Sequence, residues 1–141
     1  MTFALIDDQA LGAVLRSQPP RILRRRQLAT TGHWYVRLCQ AALRSSGHAG
    51  VLSGPFAGLP PEQRDRAVDL LLELPPEIEL LSLRQLAPDI GRLRVDHQLN
   101  ILSIEALAAA KALDAEVFLS APSPKLEAAL ATEGCTWRRL A

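Results

Sequence analysis

The chain has 141 residues, of which 48% are hydrophobic, mostly Leu and Ala, and only 4% aromatic, with a net charge of +1. Apolar content at this level excludes an intrinsically disordered tail, and the length suits one helix-rich domain, residues 1–141, with a real core. The near-neutral balance gives no global signal for a nucleic-acid partner, so only local charge can speak to one.

The opening "MTFALIDDQALGAVL" carries two acids where a secretion signal needs an unbroken apolar core, and no apolar run approaches the ~20 residues of a membrane span. A soluble cytoplasmic protein with no membrane partner is therefore expected. Cys39 and Cys135 show no ligand spacing and read as free thiols of a reducing compartment.

In chain order, "TFALI" (Thr2 to Ile6) is short, apolar and bounded by Asp7 and Asp8, as a buried strand is. Leu11, Val14 and Leu15 then fall at helical spacing behind an aspartate suited to N-capping. "SQPPRILRRRQLATTG" breaks the pattern at Pro19-Pro20 and carries Arg21, Arg24, Arg25 and Arg26, with Arg16 upstream. "HWYVRLCQAALRSSG" is a predicted helix with Trp34, Leu38, Ala41 and Ala42 on one face and Gly47 as its stop. "HAGVLSGPFAG" fits a short strand or a loop. Pro60-Pro61 open a helix running to about Leu74. "EIELLSL" (Glu77 to Leu83) is a second strand, and "RQLAPDIGRLRVDHQL" a helix with Pro88 near its start. "SIEALAAAKALDA" is an Ala-rich helix beginning after Ser103, "EVFLS" a third strand, "PKLEAALATEG" a helix closed by Gly134, and "CTWRRL" a last strand.

Strands and helices alternate, which predicts an α/β fold with a mostly parallel sheet of about four strands (Thr2–Ile6, Glu77–Leu81, Glu116–Leu119 and Thr136–Leu140) and helices on both faces. The strands are nearly all apolar, as a sheet covered on both sides requires. No GxSxG elbow, GxGxxG or P-loop is present, which leaves serine-hydrolase, dinucleotide and P-loop chemistry without support.

Three stretches carry a family resemblance: "ALIDDQALGAVL", the run from "ELLSLRQLAPDIGRLRVDHQL" through "NILSIEALAAAKALDAEVFLSA", and "PKLEAALATEGCTWRRL". Together they resemble the PIN domain, the fold of VapC-like toxins of toxin–antitoxin systems, over most of the chain. The resemblance implies a three-layer α/β/α sandwich whose parallel strands gather three or four carboxylates around Mg²⁺ or Mn²⁺. Such hard cations take oxygen ligands, activate water and neutralise phosphate during RNA cleavage.

Asp7 matches the family's first acid. Asp8, beside it, points elsewhere or caps the helix. Glu105 stands where the family usually has aspartate, one carbon longer. The family's helical second acid maps to Arg37, and no acid lies anywhere between Asp8 and Glu62. The fourth acid, after the strand Glu116–Leu119, maps to Ala121, Pro122 or Ser123, none of which can serve.

Asp7 and Glu105 would thus be the catalytic and metal-binding pair, with Asp8 a third candidate, in a site short of two carboxylates. Arg37 cannot give up its proton and is expected to neutralise that site, bridging Asp7 and Glu105 in one shallow pocket. No cofactor is expected unless the site is active, when Mg²⁺ or Mn²⁺ is.

Each residue also has a structural reading. Asp7 and Asp8 serve as strand end and cap, Glu105 as a first-turn acid favoured by the helix dipole, and Trp34 and Tyr35 as core. His33, His48 and His97 lack metal-type spacing and suit surface or core roles. Arg21, Arg24, Arg25 and Arg26 fit a solvated loop, a contact for RNA phosphates, or a dock for an acidic partner segment.

Three functions compete: a PIN-like binder of RNA or of a small antitoxin-like protein with a degenerate site, a working Mg²⁺/Mn²⁺ ribonuclease, and a structural or regulatory partner without nucleic-acid contact. VapC-like proteins commonly pair through helices, and the apolar faces of Trp34–Leu43 and Val68–Leu74 predict a homodimer.

Overall fold

Five short parallel strands form the centre of the molecule: β1 (Ala4–Ile6), β2 (Leu28–Thr30), β3 (Ile78–Leu80), β4 (Glu116–Leu119) and β5 (Trp137–Arg139), in the order β3-β2-β1-β4-β5. The computed structural model describes residues 2–44 and 50–140. Gly47 and His48 lie outside them.

The helices are α1 (Asp8–Leu15), α2 (Gly32–Ala42), α3 (Gly54–Ala57), α4 (Pro61–Leu72), α5 (Leu83–Leu93), α6 (Ile101–Leu113) and α7 (Pro124–Thr132), with one 3₁₀ turn at Arg21–Leu23. Period-2 alternation divides the sheet's side chains between two cores. Leu5, Ala29, Val117 and Leu119 pack with α5, α6 and α7. Ala4, Ile6, Ile78 and Phe118 pack with α1, α3 and α4. Helix α2 serves both layers, with Trp34 in the first core and Leu38 in the second. The result is a three-layer α/β/α arrangement.

The expected sheet had about four strands; the fifth is β2, inside the stretch set aside as a proline-broken basic loop. It is three residues long and starts just after the arginine run. Ala29 and Thr30 are completely buried, and the Thr30 hydroxyl is satisfied by donating to the Ile6 carbonyl at 2.8 Å. Weak strand formers are held here by partners on both sides, which no local pattern reveals.

Two helix starts also differ from expectation. Helix α6 begins at Ile101, where the Asn100 side chain caps the Ser103 amide at 2.9 Å, so Ser103 lies within the first turn and Glu105 in the second. Helix α5 begins at Leu83 behind Ser82, which puts Pro88 mid-helix. The glycine-rich stretch holds the short helix α3 and no strand among its described residues. The stop after α7 is as expected: Gly134 adopts φ +76° just past the helix.

Helix α6 explains the Ala-rich run. Ile104 through Ala110 are all buried, a helix enclosed on every side. Alanines at 106, 108, 109 and 110 let neighbouring elements approach closely. A larger side chain has nowhere to go, and overpacking costs about 1–3 kcal/mol. Ala109→Leu is therefore expected to lower the unfolding free energy by that amount, seen as a lower urea midpoint at an unchanged denaturant slope, whereas a stability equal to wild type would show that α6 is loosely packed.

Candidate functional site

In a sheet of this order the chain runs from β1 to β2 and β3 on one side, then returns to β4 and β5 on the other. The carboxyl ends of β1 and β4 thus form the topological switch point, where open α/β sheets open a crevice for ligands. Asp7 follows β1 and Ser120 follows β4, so the first predicted acid stands where it was expected.

Asp7 is fully engaged. It is the N-cap of α1, its Oδ1 accepting the Ala10 amide at 3.0 Å. The same oxygen accepts the Ser120 hydroxyl at 2.8 Å, and Oδ2 accepts the Ser120 amide at 2.7 Å. Three donors from two elements therefore converge on one buried carboxylate. Sequence reasoning weighed residues 121–123 as sources of a fourth acid and passed over Ser120, the first residue beyond β4. The usable signal was a hydroxyl at a strand end of a parallel sheet.

Asp8, the first residue of α1, is also buried. Its Oδ1 accepts the Gln9 amide at 2.8 Å, and Arg37 Nη1 lies 3.3 Å from Oδ2. That approach is an ion pair without hydrogen-bond alignment, since Oδ2 has no hydrogen-bond partner among the described residues. Burial, reinforced by the Asp7 charge, pushes the Asp8 carboxyl above the usual aspartate range, and Arg37 only partly offsets this.

Arg37 stands against Asp8, the second of the two aspartates; the expected bridge from Asp7 to Glu105 does not form. Its side chain is 52% exposed and makes its one ion pair, among the described residues, with Asp8.

Glu105 is completely buried, and its partner is His33. Oε1 accepts the His33 backbone amide at 3.0 Å and lies 2.8 Å from His33 Nδ1. The carboxylate therefore sits at the N-terminus of α2, where free amides and the helix dipole favour negative charge. A Cβ at Gly32 would stand 3.5 Å from Glu105 Oε2, an ordinary van der Waals distance, so the carboxylate packs directly against the start of α2. Oε2 itself has no hydrogen-bond partner among the described residues. His33 was read as a surface or core histidine, since spacing along one chain cannot show a contact made 72 positions away.

The four arginines of the basic stretch separate. Arg21, Arg24 and Arg25 are exposed and make no ion pair among the described residues. Arg26 is structural: it reaches Glu116 at 3.1 Å, and its guanidinium lies 5.0 Å from the centre of the Phe118 ring. Both Arg26 and Glu116 precede or begin their strands, so this contact is at the sheet's amino edge, opposite Asp7.

A cleft of about 580 Å³ runs along α1 and is lined by Asp8, Ser120, Arg16 and Arg21 among others; neither Asp7 nor Glu105 lines it. Among the described residues no group of three or more His, Cys, Asp or Glu side chains is placed to hold a metal ion. Cys39 and Cys135 are unbridged, and no helix among the described residues is long and apolar enough to cross a membrane. Searches of protein-family models and of curated proteins return no match to the chain.

The raised Asp8 pKa has a definite sign. The folded state binds this proton more tightly than the unfolded state, so ionised Asp8 lowers stability at pH values above its folded pKa. Asp8→Asn is expected to raise the melting temperature at pH 7. The gain should shrink as pH falls through the raised value towards ~3.9, the ordinary aspartate pKa, where both states are protonated. Loss of stability at pH 7 would show instead that the pair with Arg37 outweighs the burial cost.

Proposed function

We propose that this chain is a PIN-like protein of the toxin–antitoxin type in which the acidic site serves as a hydrogen-bonded junction, and that it binds RNA without cutting it. One observation carries the reading: Ser120 donates both its amide and its hydroxyl to Asp7, occupying lone pairs that a metal centre needs. A Mg²⁺ ion requires several oxygen ligands in near-octahedral array. Here each acid has its own protein partner: Asp7 has Ser120, Asp8 has Arg37 and Glu105 has His33.

RNA is favoured as the ligand by the loop before β2. Arg21, Arg24 and Arg25 are exposed and uncommitted, and arginines in this state suit phosphate contacts that position a strand without reading its bases. The same loop would hold an acidic segment of a small antitoxin-like protein by similar electrostatics. Exposed Val36 on α2, Leu43 just past its end and Leu72 on α4 offer an apolar surface for a homodimer.

A second reading, an active Mg²⁺- or Mn²⁺-dependent ribonuclease, has a specific observation in its favour. Asp8 Oδ2 and Glu105 Oε2 are buried carboxylate oxygens with no hydrogen-bond partner among the described residues. In that reading Asp7, Asp8 and Glu105 would hold the ion, with water completing its shell.

Fluorescence anisotropy with a labelled single-stranded RNA separates these readings. Binding without cleavage is expected in the presence of either metal. With three phosphate contacts, log K should fall against log salt with a slope of about −2, and Arg24→Ala/Arg25→Ala should flatten it. Metal-dependent cleavage abolished by Asp7→Asn would establish the ribonuclease, and failure to bind RNA at low salt would refute the RNA reading.

A further inference from the structure

Arg16, at the C-terminal end of α1, is a charge without a counter-charge. Its Nε is buried and has no hydrogen-bond partner, and the side chain makes no ion pair among the described residues. The guanidinium carbon lies 5.3 Å from the centre of the Phe56 ring, a side chain that is itself buried.

Gly12 makes this placement feasible, since a Cβ there would come within 3.0 Å of Arg16 Nη1. The guanidinium is thus folded back along α1, partly stripped of water, with an aromatic face as its only partner among the described residues. Burial lowers its pKa from the usual arginine value. Desolvating a cation in this way is costly unless an anion completes the site.

Arg16 also lines the ~580 Å³ cleft along α1, together with Arg21 and Arg139. Arg139 is already neutralised, its Nε and Nη2 gripping both oxygens of Glu127 at 2.9 and 2.8 Å. Asp8, also on the cleft, is paired with Arg37. Arg16 and Arg21 are therefore the charged residues of the cleft that make no ion pair among the described residues, and both are positive. The remaining wall is mostly apolar, with Ile22 and Val51 exposed upon it and Gln9 and Ser120 as its uncharged polar members. Its volume lies within the range of small-ligand sites, about 300–1,000 Å³.

We infer that this cleft is a binding site for a small phosphomonoester with an apolar or aromatic body, its phosphate between Arg16 and Arg21 and its body against the Ile22–Val51 wall. Guanidinium groups suit phosphate because they present several donors in one plane and stay charged when partly buried. The cleft reaches Ser120 of the junction, but the phosphate position between Arg16 and Arg21 uses neither Asp7 nor Ser120 and does not depend on whether the chain binds RNA.

Calorimetric titration of the intact protein with adenosine 5′-monophosphate and with adenosine tests it. Saturable binding of the monophosphate is expected, at least ten-fold tighter than adenosine. Arg16→Met keeps an unbranched side chain against Phe56 while removing the charge, and should weaken the monophosphate at least ten-fold. A melting curve of the unliganded variant checks its fold, and a stable variant that no longer gains melting temperature from the monophosphate supports the site. Absence of saturable binding by the wild type, or equal binding by Arg16→Met, overturns the inference. So does an RNA oligomer lacking terminal phosphates that binds the wild type tighter than the monophosphate and loses as much with Arg16→Met, because the cleft would then serve an internal strand.

Discussion

The carboxylate of Asp7 holds together the two halves of the sheet at the point where its strand order reverses. It ends β1, caps α1 and accepts two hydrogen bonds from the residue that ends β4. Hydrogen bonds to an ionised group are each worth about 1.5–3 kcal/mol when intact, and leaving such a group buried without them costs more. The entry angle of α1, and with it the cleft along that helix, follows from this one side chain.

The same economy governs the rest of the carboxyl edge. A metal centre gathers acids and leaves their lone pairs facing one point. Here the acids are dispersed among separate donors: a serine at a strand end, an arginine on α2, and a histidine at the start of α2 that also offers its backbone amide to Glu105. Buried carboxylates repel one another, and each local donor relieves part of that repulsion without a bound ion. Beyond α1, by contrast, Arg21, Arg24 and Arg25 make no ion pair among the described residues. Arg26, adjacent in sequence, is taken by Glu116 and Phe118 at the other edge of the sheet.

Much of the fold was legible in the sequence because it rests on local signals. β1 and β4 are apolar runs of the right length and Gly134 marks the end of α7, whereas the cap of α1, expected of Asp8, is Asp7, one residue earlier. The alternation of strands and helices implied the parallel sheet. β2 was illegible because its three residues acquire strand character only from β1 and β3 on either side. The position of Asp7 was legible for the same local reason. Its partner Ser120 was not, nor was the pairing of Glu105 with His33, since both contacts join elements far apart in the chain. Arg37, expected between Asp7 and Glu105, lies against Asp8 instead, because helix spacing fixes the face of α2 and leaves its approach to α1 undetermined.

A double-mutant cycle on Asp7→Asn and Ser120→Ala measures the junction most directly. The asparagine keeps a capping oxygen for α1 while losing the charge, and the alanine removes only the hydroxyl. The two stability losses should fall short of additivity, with a coupling energy of about 1 kcal/mol or more in urea unfolding. Additivity within about 0.5 kcal/mol would contradict the account, because the Ser120 hydroxyl would then contribute nothing to holding Asp7.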